Sequence, residues 1–242
     1  RERAAYQHSQ CIKLSAGFFA CVEFENFNEK LVIFVHGYKG FKDWGPWNLV
    51  DFECTEAGFG FAKFNLSHNG GTHIFAKDFP DLDAFSKNTY TKELNDVIHF
   101  LNHLDTLDLP EHSKHLIGHS RGGGVGLLAA HEDHRIASIT TWAAISSIAD
   151  RMPFGEKLEE WKSKGVRYEL NTRTQQEMPI AFSLYEDFIT NQHRLNIQKA
   201  CENLLIPRMV IHGGADAMLL RHWREKNGRP LAGPPVGVSY GK

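Results

Sequence analysis

The sequence predicts an α/β fold built on a mostly parallel sheet, and three observations predict it. Short apolar runs alternate with segments of helical periodicity along most of the 242 residues. The run Leu31-Val32-Ile33-Phe34-Val35 is apolar on both faces, as a strand covered by helices on either side must be. Glycine turns recur at the ends of such runs, at His36-Gly37, Gly118-His119-Ser120-Arg121-Gly122 and His212-Gly213. Strand ends are where sheets of this class carry their function.

The elements follow in order. Cys11 to Glu25 reads as a hairpin turning at Ser15-Ala16-Gly17, and Leu31–Val35 as the first buried strand. Pro46 opens a helix that runs to about Glu56, with Gly58 closing it. Phe59 to Leu66 reads as the next strand, and residues 72–88 as a long irregular loop. From Thr89 to Leu104, Leu94, Val97, Ile98 and Leu101 recur at helical spacing. A short strand at Leu116-Ile117 leads into a small-residue helix from Ser120 to about Ala130. Strands at Ile136–Ile145 and Met209–Ile211 follow. Strand-helix-strand order implies parallel pairing by crossover.

Composition narrows the classes. A content of 42% hydrophobic and 23% charged residues suits one core, so residues 1–242 read as a single domain. A formal net charge of −2 supplies no basic excess, so neither a nucleic-acid nor a membrane partner is expected. No apolar run approaches the roughly 20 residues that span a bilayer. Arg1 to Gln10 lacks the apolar core of a signal peptide. Cys11, Cys21, Cys54 and Cys201 are scattered without C-x-x-C spacing and read as free thiols, consistent with a cytoplasmic location. The oligomeric state is not legible.

Gly118-His119-Ser120-Arg121-Gly122 fits G-x-S-x-G between a strand and a helix. A serine at the apex of so sharp a turn needs glycine two positions to either side, because side chains there would collide. Its hydroxyl then projects at a helix start, where developing negative charge is favoured. Acyl transfer also needs two preorganised donors for the oxyanion. The main-chain N–H of Arg121 would be one. That of Tyr38, in His36-Gly37-Tyr38-Lys39-Gly40, would be the other. The side chain of His36 reads as structural. Phe41, Trp44 and Trp47 read as a wall near the substrate, with Trp44 in the pocket, or equally as plain core.

Asp216, in His212-Gly213-Gly214-Ala215-Asp216, follows a strand 96 residues after Ser120 and takes the acid position, with Asp150 as the alternative. One histidine follows Asp216, and it is His222, six residues on and inside a helical-looking stretch. The base is then His222, a histidine beyond Lys242, or one lost if residues from about 217 depart from the parental sequence. Residues 217–242 change character, with many glycines and prolines in Gly228 to Gly241.

In family order and spacing, these three motifs make the chain resemble the α/β-hydrolase superfamily over roughly residues 11–216. It looks most like the small carboxylesterase, dienelactone-hydrolase-like and serine-aminopeptidase-like members. The resemblance implies an eight-stranded sheet, an acyl-enzyme mechanism on a small-molecule acyl substrate, and no cofactor. It also implies an inserted cap, for which residues 151–205 are the candidate, with helical patterns at Glu156–Lys164 and Leu195–Asn203. Trp161, Tyr168, Phe182, Tyr185 and Phe188 would line or support that cap. True dienelactone hydrolases use a cysteine where Ser120 stands. An inactive scaffold without a base, or a peptidase, thioesterase or acyltransferase, are the other readings. No metal site is expected. His131-Glu132-Asp133-His134 is one residue short of H-E-x-x-H, and His99 with His103 lacks a third ligand.

Overall fold

A computed structural model describes residues 8–15, 18–24, 28–72, 78–109 and 111–213, the first two segments by their backbone. Its main sheet holds seven strands: β1 (His8–Ser15), β2 (Phe18–Phe24), β3 (Lys30–Val35), β4 (Gly60–Phe64), β5 (Ser113–His119), β6 (Ile136–Trp142) and β9 (Arg208–Ile211). The spatial order is β1-β2-β4-β3-β5-β6-β9. The five strands from β4 to β9 pair in parallel, and β1 and β2 add an antiparallel hairpin at one edge.

Register decides where the glycine turns fall. Val35 pairs with Gly118, Gly118 with Thr141, and Thr141 with Val210, so these strands end level with one another. His36-Gly37, Ser120 and His212-Gly213 therefore emerge along one carboxyl edge.

The two faces of the sheet are covered unequally. Helices α3 (Tyr90–Leu104), α4 (Arg121–Glu132) and α7 (Ile197–Asn203) lie over one face. Leu31, Ile33, Leu94, Val97, Leu116, Val125 and Ile139 make the main core there. On the other face α1 (Trp47–Glu56) sets Trp47 against Phe34 and Trp142. α3 forms where its apolar residues repeat with helical period, and the Thr89 side chain caps it by accepting from the Lys92 N–H.

Several elements depart from the sequence reading. Inside residues 72–88 the chain makes one helical turn, α2 (Leu82–Ser86), because Asp81 accepts from the Ala84 N–H and starts it. β5 is longer than Leu116-Ile117, since its pairing with β3 continues out to Ser113. β6 stops at Trp142, where Ala143 takes a positive φ of 49° and leaves the strand.

The segment between β6 and β9 is not purely helical. After α5 (Glu156–Lys164) come β7 (Val166–Asn171) and β8 (Gln176–Ala181), an antiparallel pair outside the main sheet, and then α6 (Ser183–Thr190). α5 is bounded by Gly155 and by left-handed Gly165, with glutamates in its first turn and lysines in its last. Trp161 is buried, meets Phe182 and Tyr185 edge-on, and donates its indole N–H to the Ile180 carbonyl. Tyr168 is exposed. Cys54 and Cys201 are free thiols. No helix among the described residues is long and apolar enough to cross a membrane.

Candidate active site

The turn at Ser120 is built by backbone packing. Ser120 itself has φ 54° and ψ −119°, a region that costs a residue with a Cβ about 1–3 kcal/mol. Main-chain hydrogen bonds hold it there: its N–H donates to the Trp142 carbonyl at 2.8 Å, and its own carbonyl accepts from Ile145 at 3.2 Å and Gly123 at 3.1 Å. The glycine requirement is steric. A Cβ on Gly118 would come within 2.6 Å of the Gly122 carbonyl oxygen. One on Gly122 would be driven into the Val35 and His36 carbonyls at the end of β3. Ser120 is only partly buried, so the hydroxyl is not sealed in the core.

The Tyr38 turn lies directly beside it. A Cβ built on Gly37 would stand 3.0 Å from the Ser120 Cβ. The turn closes with the Gly40 N–H on the Gly37 carbonyl at 3.1 Å, and it places Lys39 at a left-handed φ of 55°. No hydrogen bond among the described residues uses the Tyr38 N–H. Arg121 opens α4, so its N–H is one of those a helix start leaves without an intrahelical acceptor.

The side chains of these two residues stack on each other. The Arg121 guanidinium lies 4.0 Å over the Tyr38 ring and 4.6 Å over that of Tyr90, and it pairs with buried Glu93 at 3.2 Å. Asn88 donates to the same Glu93 oxygen at 2.6 Å. Burial would lower the Arg121 pKa, but the Tyr90, Glu93 and Tyr38 surroundings outweigh it and raise it. Burial pushes the Tyr38 phenol well above its ordinary range. The G-x-S-x-G motif points to Arg121 for its amide alone and carries no sign of this side-chain cluster. Its partners Glu93 and Tyr90 lie about one helical turn apart on α3, and only the fold brings them to the serine.

His36 is a structural group. It is buried, its Nε2 accepts the Leu66 N–H at 3.1 Å, and its Nδ1 faces the Gly37 carbonyl at 2.9 Å, which assigns the proton to Nδ1. Burial, opposed by the Gly37 hydrogen bond, lowers its pKa to about 4. The three aromatics downstream go to different places. Phe41 packs with Phe79, Phe85 and Met178, and Trp47 lies under the sheet. Trp44, 37% exposed, carries the Arg173 guanidinium 4.5 Å over its ring.

Asp150 sits in an exposed single turn of 3-10 helix, Ala149–Arg151. Asp216 and His222 lie outside the described residues. Among those described, no side chain hydrogen-bonds the Ser120 hydroxyl. In the stretch 131–134, Glu132 pairs with Arg194 and Asp133 with Arg135.

The chain matches no known family model and no curated protein. Solved structures do match its shape. Alpha/beta hydrolase domain-containing protein 10 from mouse aligns with a TM-score of 0.66 at 18% identity, over 97% of this chain and 89% of the other. A putative hydrolase from Agrobacterium vitis aligns at 0.67 and 18%, over 93% and 85%. Est1E from Butyrivibrio proteoclasticus aligns at 0.61 and 16%, over 85% and 77%. With its strand order and its serine turn after β5, the chain has the α/β-hydrolase fold.

Proposed function

We propose that this protein is a serine hydrolase that cleaves a carboxylic ester, or a related acyl compound, through an acyl-enzyme. The observation that carries the reading is the strained Ser120, partly exposed at the start of α4 and packed against a turn whose Tyr38 amide has no acceptor among the described residues. Strain of this kind persists only where the surroundings impose it, and it clusters at reacting groups. A histidine base takes the proton of the Ser120 hydroxyl as it attacks the acyl carbonyl, and the Tyr38 and Arg121 amides receive the oxyanion. Collapse of the intermediate breaks the ester C–O bond and expels the alcohol, which takes the proton back from the base. Asp216 orients the base and stabilises its imidazolium. His222 is the base the sequence supplies after that aspartate. Water then releases the acid, with no cofactor or metal needed. The segment between β6 and β9 serves as the cap, and Trp44 borders the acyl pocket. Solved neighbours include an esterase domain from Rhodothermus marinus and a monoacylglycerol lipase from Paleococcus ferrophilus, which favours ester chemistry among the reactions this fold hosts.

A fluorophosphonate probe tests the assignment. The protein should be labelled, and Ser120→Ala should abolish both the label and turnover of p-nitrophenyl esters. Label that survives Ser120→Ala sinks it. Asp216→Ala and His222→Ala separate the triad members. A His222→Ala variant that keeps full turnover removes His222 from the mechanism and leaves Ser120 in place.

A further inference from the structure

We infer that the β7–β8 hairpin clamps the oxyanion turn, with Glu169 and Arg173 as positioning residues for the Tyr38 amide. The inference rests on the serine-hydrolase reading and deepens it.

The observations converge on two residues of the turn. From β7, one Glu169 oxygen faces the Lys39 ammonium at 3.3 Å and accepts the Tyr38 hydroxyl at 3.4 Å. Its other oxygen is held by Arg167 at 3.0 Å, and the Arg167 guanidinium rests 4.5 Å over buried Trp161. Lys39 also donates to the Leu170 carbonyl at 3.3 Å. From the hairpin tip, Arg173 donates to the Lys39 carbonyl at 2.9 Å while its guanidinium lies over Trp44. The hairpin thus grips Lys39 by its backbone and its side chain, and Tyr38 by its hydroxyl.

Lys39 is the strained residue of that turn, at φ 55°. A lysine gains nothing intrinsic from this conformation, which costs about 1 kcal/mol or more over an ordinary one. Its carbonyl and side chain are held from outside, and that is the over-determination such a geometry requires. The Tyr38 N–H belongs to the residue immediately before, in the Gly37–Tyr38 peptide that the same turn encloses, so a turn free to relax would swing the donor. β8 is fixed in its turn by buried Met178 against Phe41, Phe79 and Phe85, and by the Gln176 amide on the Phe79 carbonyl. The hairpin is therefore anchored on the body of the fold and can transmit position to the turn.

An oxyanion donor acts mainly in the transition state, so loosening one lowers kcat more than it raises KM. Removing such a donor outright costs about 10²–10³ in rate, and misplacing it should cost about 10-fold. The test uses the full chain with Glu169→Ala, Arg173→Ala and Arg173→Lys. Both alanine variants should speed amide hydrogen exchange in the peptide covering residues 37–42 by about 10-fold, with α4 unchanged. Each should lower kcat on p-nitrophenyl acetate by about 10-fold, with KM within about twofold. Arg173→Lys, which keeps a donor for the Lys39 carbonyl, should recover most of both. Unchanged exchange at 37–42 in both alanine variants overturns the clamp. So does faster exchange with unaltered kcat, or a kcat loss that tracks a lowered melting temperature and is not rescued by lysine. A protein that fluorophosphonate does not label at Ser120 removes the hydrolase reading instead. Hydrogen exchange alone then decides whether the hairpin holds the turn.

Discussion

The two amides proposed to hold the oxyanion are supported in opposite ways. That of Arg121 belongs to a joint made of backbone: a strand end, a strained serine and a helix start, bound to β3 and β6 through main-chain atoms. That of Tyr38 belongs to a turn held by side chains, some of them 131 or more residues away in sequence. The difference teaches where the site can be adjusted. The serine joint has no room for change, whereas the Tyr38 turn can be shifted by exchanging surface groups on a hairpin. The Arg121 guanidinium, lying on the Tyr38 ring, joins the two by side chains.

The comparison breaks most severely if that link is removed without consequence. Arg121→Met leaves Glu93 buried, at 2% exposure, without its cation, and such a loss costs about 3–5 kcal/mol. Urea unfolding should show it. Arg121→Lys should recover part of it, because it restores charge but not the planar stacking between two rings. Gly122→Ala tests the joint itself. Its methyl meets carbonyls that are already committed to β3, so the cost should reach about 3 kcal/mol, at the upper end of overpacking. A Gly122→Ala variant of ordinary stability would mean the joint is softer than its packing.

The same contrast explains what could be read in the sequence. The joint was legible because its constraint is local. Leu31–Val35, Gly118 and Gly122 announce a buried strand and a turn that admits no side chain. The hairpin was not legible. Val166-Arg167-Tyr168-Glu169-Leu170-Asn171 mixes charge with apolar residues in a strand that belongs to no large sheet and exposes Tyr168 and Leu170. Periodicity has little to report in so short an element, whereas the helical patterns at Glu156–Lys164 and Leu195–Asn203 do coincide with α5 and α7. Pairing in β7–β8 and the grip on Lys39 are long-range facts. Trp44 shows the same limit. Its neighbours Phe41 and Trp47 are core, whereas its own ring lies at the surface under the distant Arg173.

His36 sharpens the comparison, because it roots the Tyr38 turn from inside through the Leu66 N–H. Its folded pKa, about 4, lies below the ordinary 6.5. The unfolded chain therefore binds more protons between those values, and stability attributable to His36 is present above pH 6.5 and lost as pH falls toward 4. Replacing it by asparagine should cost about 2 kcal/mol at neutral pH through the buried amide left without its acceptor. That cost should vanish on going from about pH 7 to about pH 4, with the His36→Asn variant becoming the more stable by up to about 1 kcal/mol. Asp96 has the opposite sign. Burial, opposed by hydrogen bonds from Ser67, raises its pKa to about 6, so ionisation costs stability as pH rises. Thermal melts across pH should therefore be compared in an Asp96→Asn background. A constant cost of His36→Asn there would mean that His36 has the same pKa in the folded and the unfolded chain.

The smallest effect is the most discriminating, because stability and rate should move apart. Lys39→Gly removes a residue with a Cβ from φ 55° and puts there the one residue that adopts it freely. Relief of that strain is worth about 1 kcal/mol. The lost Lys39–Glu169 pair, with side chains 20% and 34% exposed, gives back only a few tenths. Glycine also widens the unfolded ensemble, so the net change in unfolding free energy should fall within about 0.5 kcal/mol of zero. Turnover should nonetheless fall by about 10-fold, because the carbonyl contact to Arg173 survives while the side-chain grip and the stiffness of the turn do not. Parallel denaturation and kcat measurements decide it. If the Lys39→Gly variant loses stability and rate in proportion, the turn is an ordinary structural loop. If it keeps its stability and loses rate, the hairpin's hold on Lys39 serves the position of the neighbouring amide.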